Sequence, residues 1–169
     1  SNTAMQGGAL FNEASHPTLM NALFASNNAT NRIGSAIYNY INGDVSIINA
    51  TISDNGPIAI VGGSENSKII NSIIIGNGNS VALSNFLGKV TNSLLDVFAN
   101  GLGYKGQLYD ANEKPISQAI YTLEDVFLNP ISGYYHLKLG GPAIDVGDST
   151  ANSLPHDLVG KKRIQGAAI

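Results

Sequence analysis

The sequence has no cysteine, no tryptophan and few charged residues. Cysteine is absent from all 169 residues, which excludes a disulfide scaffold, a zinc–thiolate site and a cysteine nucleophile. Only 12% of the residues are charged and the net charge is −3, so the chain lacks the basic surface of a nucleic-acid-binding protein. No apolar run reaches the roughly 18 residues that a transmembrane helix needs. We therefore expect no nucleic-acid partner and no membrane span.

Asparagine, glycine and isoleucine dominate the composition. There are 20 asparagines, 19 glycines and 19 isoleucines. The isoleucines come in short runs such as Ile73–Ile75, which favour β-strands, and Asn/Gly turns separate these runs. Apolar residues at helical spacing are scarce. The composition predicts an all-β domain rather than a disordered chain.

A repeat of about 22 residues is the main signal in the sequence. Alanines recur at steps of 27, 23 and 23 residues, namely Ala9, Ala36, Ala59 and Ala82. A first asparagine column recurs at steps of 28, 22 and 21 residues, namely Asn21, Asn49, Asn71 and Asn92. A second asparagine column (Asn27, Asn55 and Asn77) follows the first by six residues. Short β runs at this interval are typical of a coil with three short strands per turn, whose stacked turns share one core.

We interpret the chain as a single parallel β-helix domain, with about four regular coils over residues 7–101 and irregular coils and a cap over 102–169. One alternative is a leucine-rich repeat, but the sequence lacks the Leu-x-x-Leu-x-Leu frame of that fold. The other alternative is a β-sandwich. We expect the first asparagine column to stack as a buried ladder, since asparagine tolerates left-handed bends and its amide can bridge coils. In the irregular part we expect a capped helical turn over Thr122–Phe127 and strands over Tyr134–Leu139 and Ala143–Val146.

Two stretches carry a resemblance to a known family. One is the coil pattern Ala36-Ile-Tyr-Asn39 with Val45-Ser-Ile-Ile-Asn-Ala-Thr-Ile-Ser-Asp-Asn55. The other is Phe127-Leu-Asn-Pro130, then Tyr135-His-Leu-Lys-Leu-Gly-Gly-Pro-Ala-Ile-Asp-Val-Gly-Asp148, then Asp157-Leu-Val-Gly-Lys-Lys-Arg-Ile164. Together they resemble the C-terminal part of bacterial right-handed parallel β-helix surface proteins, the choice-of-anchor Q domain proteins, which are similar to the pectate-lyase-like superfamily.

The resemblance implies a right-handed coil and an exported bacterial protein, extracellular or at the cell surface or outer membrane. Family members continue beyond the point where this chain stops, and Gly7 already lies inside a coil. We therefore expect a piece of a longer protein, with further coils on its N-terminal side. Open coil ends expose strand edges, so association between copies of the chain is a further expectation.

Catalytic and metal-binding candidates lie in the C-terminal part. Enzymes of the pectate-lyase-like superfamily use carboxylates from successive coils, but Asp44, Asp54, Glu65 and Asp96 fall in different columns. If the chain is an enzyme, its catalytic candidates are His136, Asp145 and Asp148. Asp145, Asp148 and Asp157 are the candidate ligands of a calcium ion, and no other cofactor is expected. The alternative is that the aspartates close turns through bonds to the backbone; His136 and His156 match no short zinc motif.

Tyrosines are the candidates for contact with sugar rings. They are Tyr38, Tyr40, Tyr104, Tyr109 and Tyr134, and the alternative is that they cap coil edges. Insertions at residues 12–18 and 40–45 predict contact loops on one face. The expected function is a non-catalytic, adhesin-like surface module, with polysaccharide or host-surface molecules as candidate partners. The alternatives are a fragment of a polysaccharide lyase or glycoside hydrolase, and a purely structural spacer.

Overall fold

Short strands recur three to a turn in the computed structural model, which describes residues 1–78, 81–98, 104–116, 119–151 and 154–162. They form an all-β parallel solenoid of about four turns, as the repeat predicts. The strands are β1 (Thr3–Gln6), β2 (Leu10–Glu13), β3 (Thr18–Met20), β4 (Leu23–Ala25), β5 (Asn28–Ile33), β6 (Ile37–Tyr40), β7 (Ser46–Ile48), β8 (Thr51–Ser53), β9 (Ile60–Val61), β10 (Lys68–Ile70), β11 (Ile73–Ile75), β12 (Leu83–Ser84), β13 (Lys89–Thr91), β14 (Leu94–Phe98), β15 (Tyr104–Leu108), β16 (Phe127–Asn129) and β17 (Tyr134–Leu137). The helical elements are α1 (Leu123–Val126) and two 3₁₀ turns, Pro130–Ser132 and Ser149–Ala151.

Each turn contributes one strand to each of three parallel sheets. The first sheet contains β2, β6, β9 and β12, the second β3, β7, β10 and β13, and the third β4, β8, β11 and β14. Equivalent residues lie side by side; for example, Ile47 lies beside Leu19 on one side and Ile69 on the other. A small additional sheet pairs β1 with β5 in parallel.

The core is a stack of small and aliphatic side chains inside the coil. Ala36, Ala59 and Ala82 are fully buried. The Ala9 N–H donates to the Ala36 carbonyl at 3.0 Å, and the Ala36 N–H donates to the Ala59 carbonyl at 2.9 Å. Three inward columns of larger side chains complete the core, one from each sheet, and their fully buried members include Ile37, Ile60, Ile47, Ile69, Ile52 and Ile74. Stacking therefore supplies the core that one turn cannot build alone.

The two asparagine columns serve different purposes in the fold. Residues of the first column stand between the second and third sheets with left-handed φ values, 51° at Asn21, 54° at Asn49, 52° at Asn71 and 47° at Asn92. Asparagine adopts this conformation more readily than most residues. The first column therefore turns the chain from one sheet to the next.

A hydrogen-bonded ladder runs along the second asparagine column. The Asn27 amide nitrogen donates to Asn55 Oδ1 at 2.9 Å, and the Asn55 amide nitrogen donates to Asn77 Oδ1 at 2.9 Å. All three residues are buried. Asn2 extends the ladder at one end, and at the other end the Asp96 carboxylate accepts from the Asn77 N–H at 3.1 Å. Stacked amides of this kind join each turn to the next.

The residues after the fourth turn cover one end and one face of the solenoid. β15 pairs antiparallel with β14, and the Glu113 side chain accepts from the Val90 N–H of β13 at 2.9 Å. The C-terminal segment (residues 119–151 and 154–162) packs on the outer face of the third sheet. Val126 and Phe127 form a second core there with residues such as Ile75.

Two of the three elements expected in this segment are present. The helical turn is α1, whose preceding Thr122 donates its backbone N–H to the Asp125 carboxylate at 2.8 Å. The expected strand from Tyr134 is β17. The strand expected over Ala143–Val146 is wrong: the chain forms a turn there, because the Ile144 N–H donates back to the Gly141 carbonyl and Asp145 has a left-handed φ of 58°. No helix within the described ranges has the length and apolar character needed to cross a membrane.

Candidate functional site

Two exposed aromatic rings and one half-buried ring cluster on the outer face of the first sheet; we call Phe11, Tyr38 and Tyr40 the aromatic patch. Phe11 lies on β2 and both tyrosines lie on β6, with Phe11 and Tyr38 side by side in register. The centroid of the Phe11 ring is 5.4 Å from that of Tyr38 and 5.9 Å from that of Tyr40, and the centroids of the two tyrosine rings are 5.6 Å apart. Phe11 is 45% exposed and Tyr40 is 38% exposed. Side chains alternate along a strand, so the neighbours Asn12 and Asn39 are buried on the opposite face.

One buried side chain holds both insertion loops beside the aromatic patch. The Asn12 amide nitrogen donates to the Ser15 carbonyl at 3.0 Å and to the Asp44 carbonyl at 2.9 Å. These two carbonyls belong to the insertions at residues 12–18 and 40–45. The loops expected on one face are thus fixed to each other and to the aromatic face.

Ionisable side chains lie on these loops. His16 Nδ1 lies 3.1 Å from Asp44 Oδ2; the imidazole is 68% exposed and the carboxylate 16% exposed. The Ser64 hydroxyl donates to the same carboxylate. Glu13, which is exposed, stands beside Tyr40 in register. The Glu13 carboxylate therefore stands next to the patch, and the adjoining loops carry the His16 imidazole and the Asp44 carboxylate.

The other candidate tyrosines lie elsewhere on the molecule. Tyr109 is half-buried against the main core, and burial raises its pKa. Tyr104 belongs to β15, and its side chain falls outside what the structure describes. The Tyr134 ring on β17 stacks on His136, with centroids 4.2 Å apart and planes inclined by 20°. Among the predicted tyrosines whose side chains the structure describes, it brings together Tyr38 and Tyr40, and it adds Phe11 to them.

A second candidate site is the C-terminal cleft, which lies between the solenoid bends and the C-terminal segment. Its volume is about 770 Å³. Asn49, Asn71 and Asn92 are among the residues that line it from the solenoid side. The opposite side brings together several predicted site residues, namely Tyr134, His136, Asp145 and Asp157.

The first asparagine column holds the C-terminal segment against the solenoid. The amide nitrogens of Asn92, Asn71 and Asn21 donate to the carbonyls of Val146, Asp148 and His156 at 3.1, 2.8 and 2.9 Å. Asn49 is buried, as the expected ladder requires, whereas the other three are half-buried. The structure differs from the expected ladder because the amides of Asn21, Asn71 and Asn92 point outward and donate to the backbone of the C-terminal segment, which packs on the bends.

The predicted aspartates of this region close turns. Asp148 Oδ1 accepts from the Thr150 hydroxyl at 2.7 Å and from the Thr150 N–H at 2.8 Å, and these bonds hold the pKa of Asp148 below its ordinary value. Asp157 Oδ1 accepts from two backbone N–H groups, those of Val159 and Lys161. Asp145 is exposed and lines the cleft.

The acidic side chains of the coils have partners of their own, apart from the C-terminal aspartates. Asp44 pairs with His16, Asp54 accepts from the Ser26 hydroxyl, and Asp96 ends the ladder. Among the residues that the structure describes, no three His, Asp or Glu side chains are close enough to share a metal ion. The calcium site and the catalytic set therefore stay sequence-based predictions.

Together, these features define the class of protein: a parallel β-solenoid with an aromatic face and a C-terminal cleft. Comparison with protein-family models, curated proteins and solved structures finds no match to this chain. The resemblance to choice-of-anchor Q domain and pectate-lyase-like proteins therefore rests on the sequence motifs alone, while the solenoid fold rests on the structure.

Proposed function

We propose that this chain is a non-catalytic, exported surface module of the adhesin-like kind, and that it binds polysaccharide on the aromatic patch. The supporting observation is the mutual packing of three rings on one sheet face, two of which, Phe11 and Tyr40, are exposed. Aromatic rings offer large contact areas to the C–H faces of sugar rings. Clustered exposed apolar groups commonly mark interaction sites.

The rigidity of the patch supports this role. Phe11 and Tyr38 stand on paired strands, whose other face packs on the core through the fully buried Ile37 and the partly buried Leu10. The rings also pack on one another, which limits their rotamer freedom before a ligand arrives. Binding then loses little side-chain entropy, and this favours useful affinity from a small contact area.

The polar border of the patch fits a carbohydrate. Glu13 presents a carboxylate beside Tyr40, and the adjoining loops carry the paired His16 and Asp44 side chains. Sugar hydroxyls both donate and accept hydrogen bonds, and charged acceptors form the stronger bonds. The exported, cell-surface part of the proposal rests on the family resemblance of the sequence motifs.

A glycan array followed by titration calorimetry tests the proposal. We expect Tyr40→Ala and Phe11→Ala each to weaken binding of the selected polysaccharide by roughly tenfold or more, since aromatic truncations at binding centres often cost over 1 kcal/mol. Ile131→Ala, which truncates a side chain 89% exposed in a different region, should leave binding unchanged. Tyr134→Ala separates the two candidate sites, and a loss there with Tyr40→Ala unaffected would overturn the proposed location.

The same polysaccharides should be incubated with the protein, with and without calcium, and assayed for new reducing or unsaturated ends. No new ends are expected. Turnover abolished by Asp145→Asn or His136→Ala would overturn the non-catalytic assignment. No binding to any polysaccharide on the array would overturn the proposed ligand class.

A further inference from the structure

The C-terminal cleft has the dimensions of a small-molecule site. Its volume of about 770 Å³ falls within the range of about 300–1,000 Å³ that is usual for ligand pockets. Residues of all four turns line one wall, including Leu23 from the first turn, Ile73 from the third and Leu94 from the fourth. The cleft therefore runs along the solenoid axis and fits an elongated ligand.

Large apolar side chains surround the cleft and remain exposed. Leu137, Leu139, Leu158 and Val159 line it with exposures of 38%, 93%, 62% and 57%. Single exposed apolar residues are ordinary, but four that line one cleft give it an apolar rim. Such a rim favours a ligand with an apolar body.

The charged groups that line the cleft determine which kind of headgroup it favours. Among the described residues that line the cleft, two carry carboxylates, Asp145 and Asp157, and one, Lys162, carries a positive charge. Within that part of the chain no hydrogen bond engages the Asp145 carboxylate, and both bonds to Asp157 use Oδ1. The exposed Tyr134 ring adds a π-face, and such a face attracts cations.

We infer that the C-terminal cleft binds an organic cation with an apolar body, of the alkylammonium class, with its headgroup beside Asp145. The apolar body lies along the rim formed by Leu137, Leu139, Leu158 and Val159. The inference is independent of polysaccharide binding, because the aromatic patch lies on the first sheet and the cleft borders the bends between the second and third sheets.

Three probes with one chain length and different headgroups test the inference. Octyltrimethylammonium, 1-octanol and octanoate are titrated into the ¹⁵N-labelled protein and followed by backbone amide NMR shifts. We expect the cation to bind about tenfold more tightly than the alcohol, and octanoate to bind most weakly, because charge and apolar contact act together only for the cation. The shifted amides should be those that line the cleft.

Matched variants separate the headgroup from the chain. Asp145→Asn should bring the affinity of the cation close to that of octanol and leave octanol binding unchanged. Glu65→Gln removes the same charge from an exposed loop of the third turn and should change nothing. Leu158→Ala should weaken all three probes. Equal affinity for the three probes, a preference for octanoate, or shifts confined to the aromatic patch would each overturn the inference.

Discussion

Asn71 and Asp148 exchange two hydrogen bonds across the boundary between the solenoid and the C-terminal segment. The Asn71 amide nitrogen donates to the Asp148 carbonyl at 2.8 Å, and the Asp148 N–H donates to Asn71 Oδ1 at 2.7 Å. The two residues are 77 positions apart in the sequence. One asparagine side chain thus satisfies both backbone groups of a distant residue and fixes where the segment lies.

The first prediction is that Asn71→Ala destabilises the protein by about 1–3 kcal/mol, because it leaves the Asp148 N–H without its partner and leaves the Asp148 carbonyl with only the Ala151 N–H, at 3.3 Å. Chemical denaturation measures the change. Asn85→Ala is the matched control, since Asn85 has a similar φ of 53° and is exposed. Asn85→Ala therefore carries the same penalty for placing alanine in a left-handed backbone conformation, but it removes no contact with the C-terminal segment. Equal losses in the two variants would show that the side-chain contact contributes nothing.

The second prediction concerns the buried ladder. Asn55 accepts from Asn27 and donates to Asn77 Oδ1 and to the Phe24 carbonyl. Asn55→Ala therefore leaves several buried polar groups unpaired, and we expect a loss of about 3 kcal/mol or more in the free energy of unfolding. Asn31→Ala, at an exposed position of β5, should cost less than about 0.5 kcal/mol. A similarly small effect at Asn55 would contradict the structural role of the ladder.

The spacing of residues predicts the solenoid, but it does not separate the roles of the two asparagine columns. Both columns repeat in step with the turns, and both offer the same amide. Which column forms the ladder between turns depends on the backbone that packs over the other column. In this protein the C-terminal segment, which lacks the repeat, packs over the first column and accepts hydrogen bonds from its amides. The repeat also does not identify Asp96 as the end of the ladder, because the six-residue spacing from Asn92 leads to Phe98 and the carboxylate comes two residues earlier.

The aromatic patch is only partly predictable from the sequence. Tyr38 and Tyr40 stand out beside an insertion, whereas Phe11 does not. A signal for Phe11 nevertheless exists, since it precedes Tyr38 by 27 residues, the same step that separates Ala9 from Ala36. The C-terminal cleft is not predictable in this way, because its two walls come from distant parts of the chain and only the packing of an irregular segment brings them together.

The third prediction is a pH dependence in the C-terminal segment. The Thr150 hydroxyl and backbone N–H lower the pKa of Asp148 from its ordinary value of 3.8. Because the folded-state pKa is depressed, the stabilisation is present above pH 3.8 and is lost as the pH falls through the lower folded value. Hydrogen exchange should therefore show the amides of residues 146–151 losing protection as the pH falls below 3.8.

Asp148→Asn tests the assignment of this pH dependence. The variant cannot titrate at this position, so protection of the same amides should change less below pH 3.8 than in the unaltered protein. Asp110, whose pKa is also lowered by the backbone N–H of Lys114, stabilises the loop over residues 110–114. Its amides should retain their own acid response in Asp148→Asn. An unchanged acid response around residue 148 would contradict the role of its carboxylate.

The fourth prediction concerns the contact between α1 and the end of β11. Gly76 has a left-handed φ of 73°, and a Cβ placed there would lie 2.7 Å from two side-chain carbons of Leu123. Gly76→Ala should destabilise the protein through both backbone strain and overpacking, by about 2–4 kcal/mol in chemical denaturation. Gly133→Ala isolates the backbone part, because Gly133 has a φ of 71° and a Cβ placed there would meet no atom of a non-neighbouring residue within 4 Å. We expect it to cost about 1 kcal/mol.

A double variant then separates the steric clash from the strain at Gly76. Leu123→Ala removes the carbons that the new methyl group would meet, so its effect and that of Gly76→Ala should be less than additive by about 1 kcal/mol or more. Full additivity would mean that the leucine moves away freely when the methyl group is added. In that case the second core, to which Leu123 belongs, would not be what fixes α1 against the third sheet.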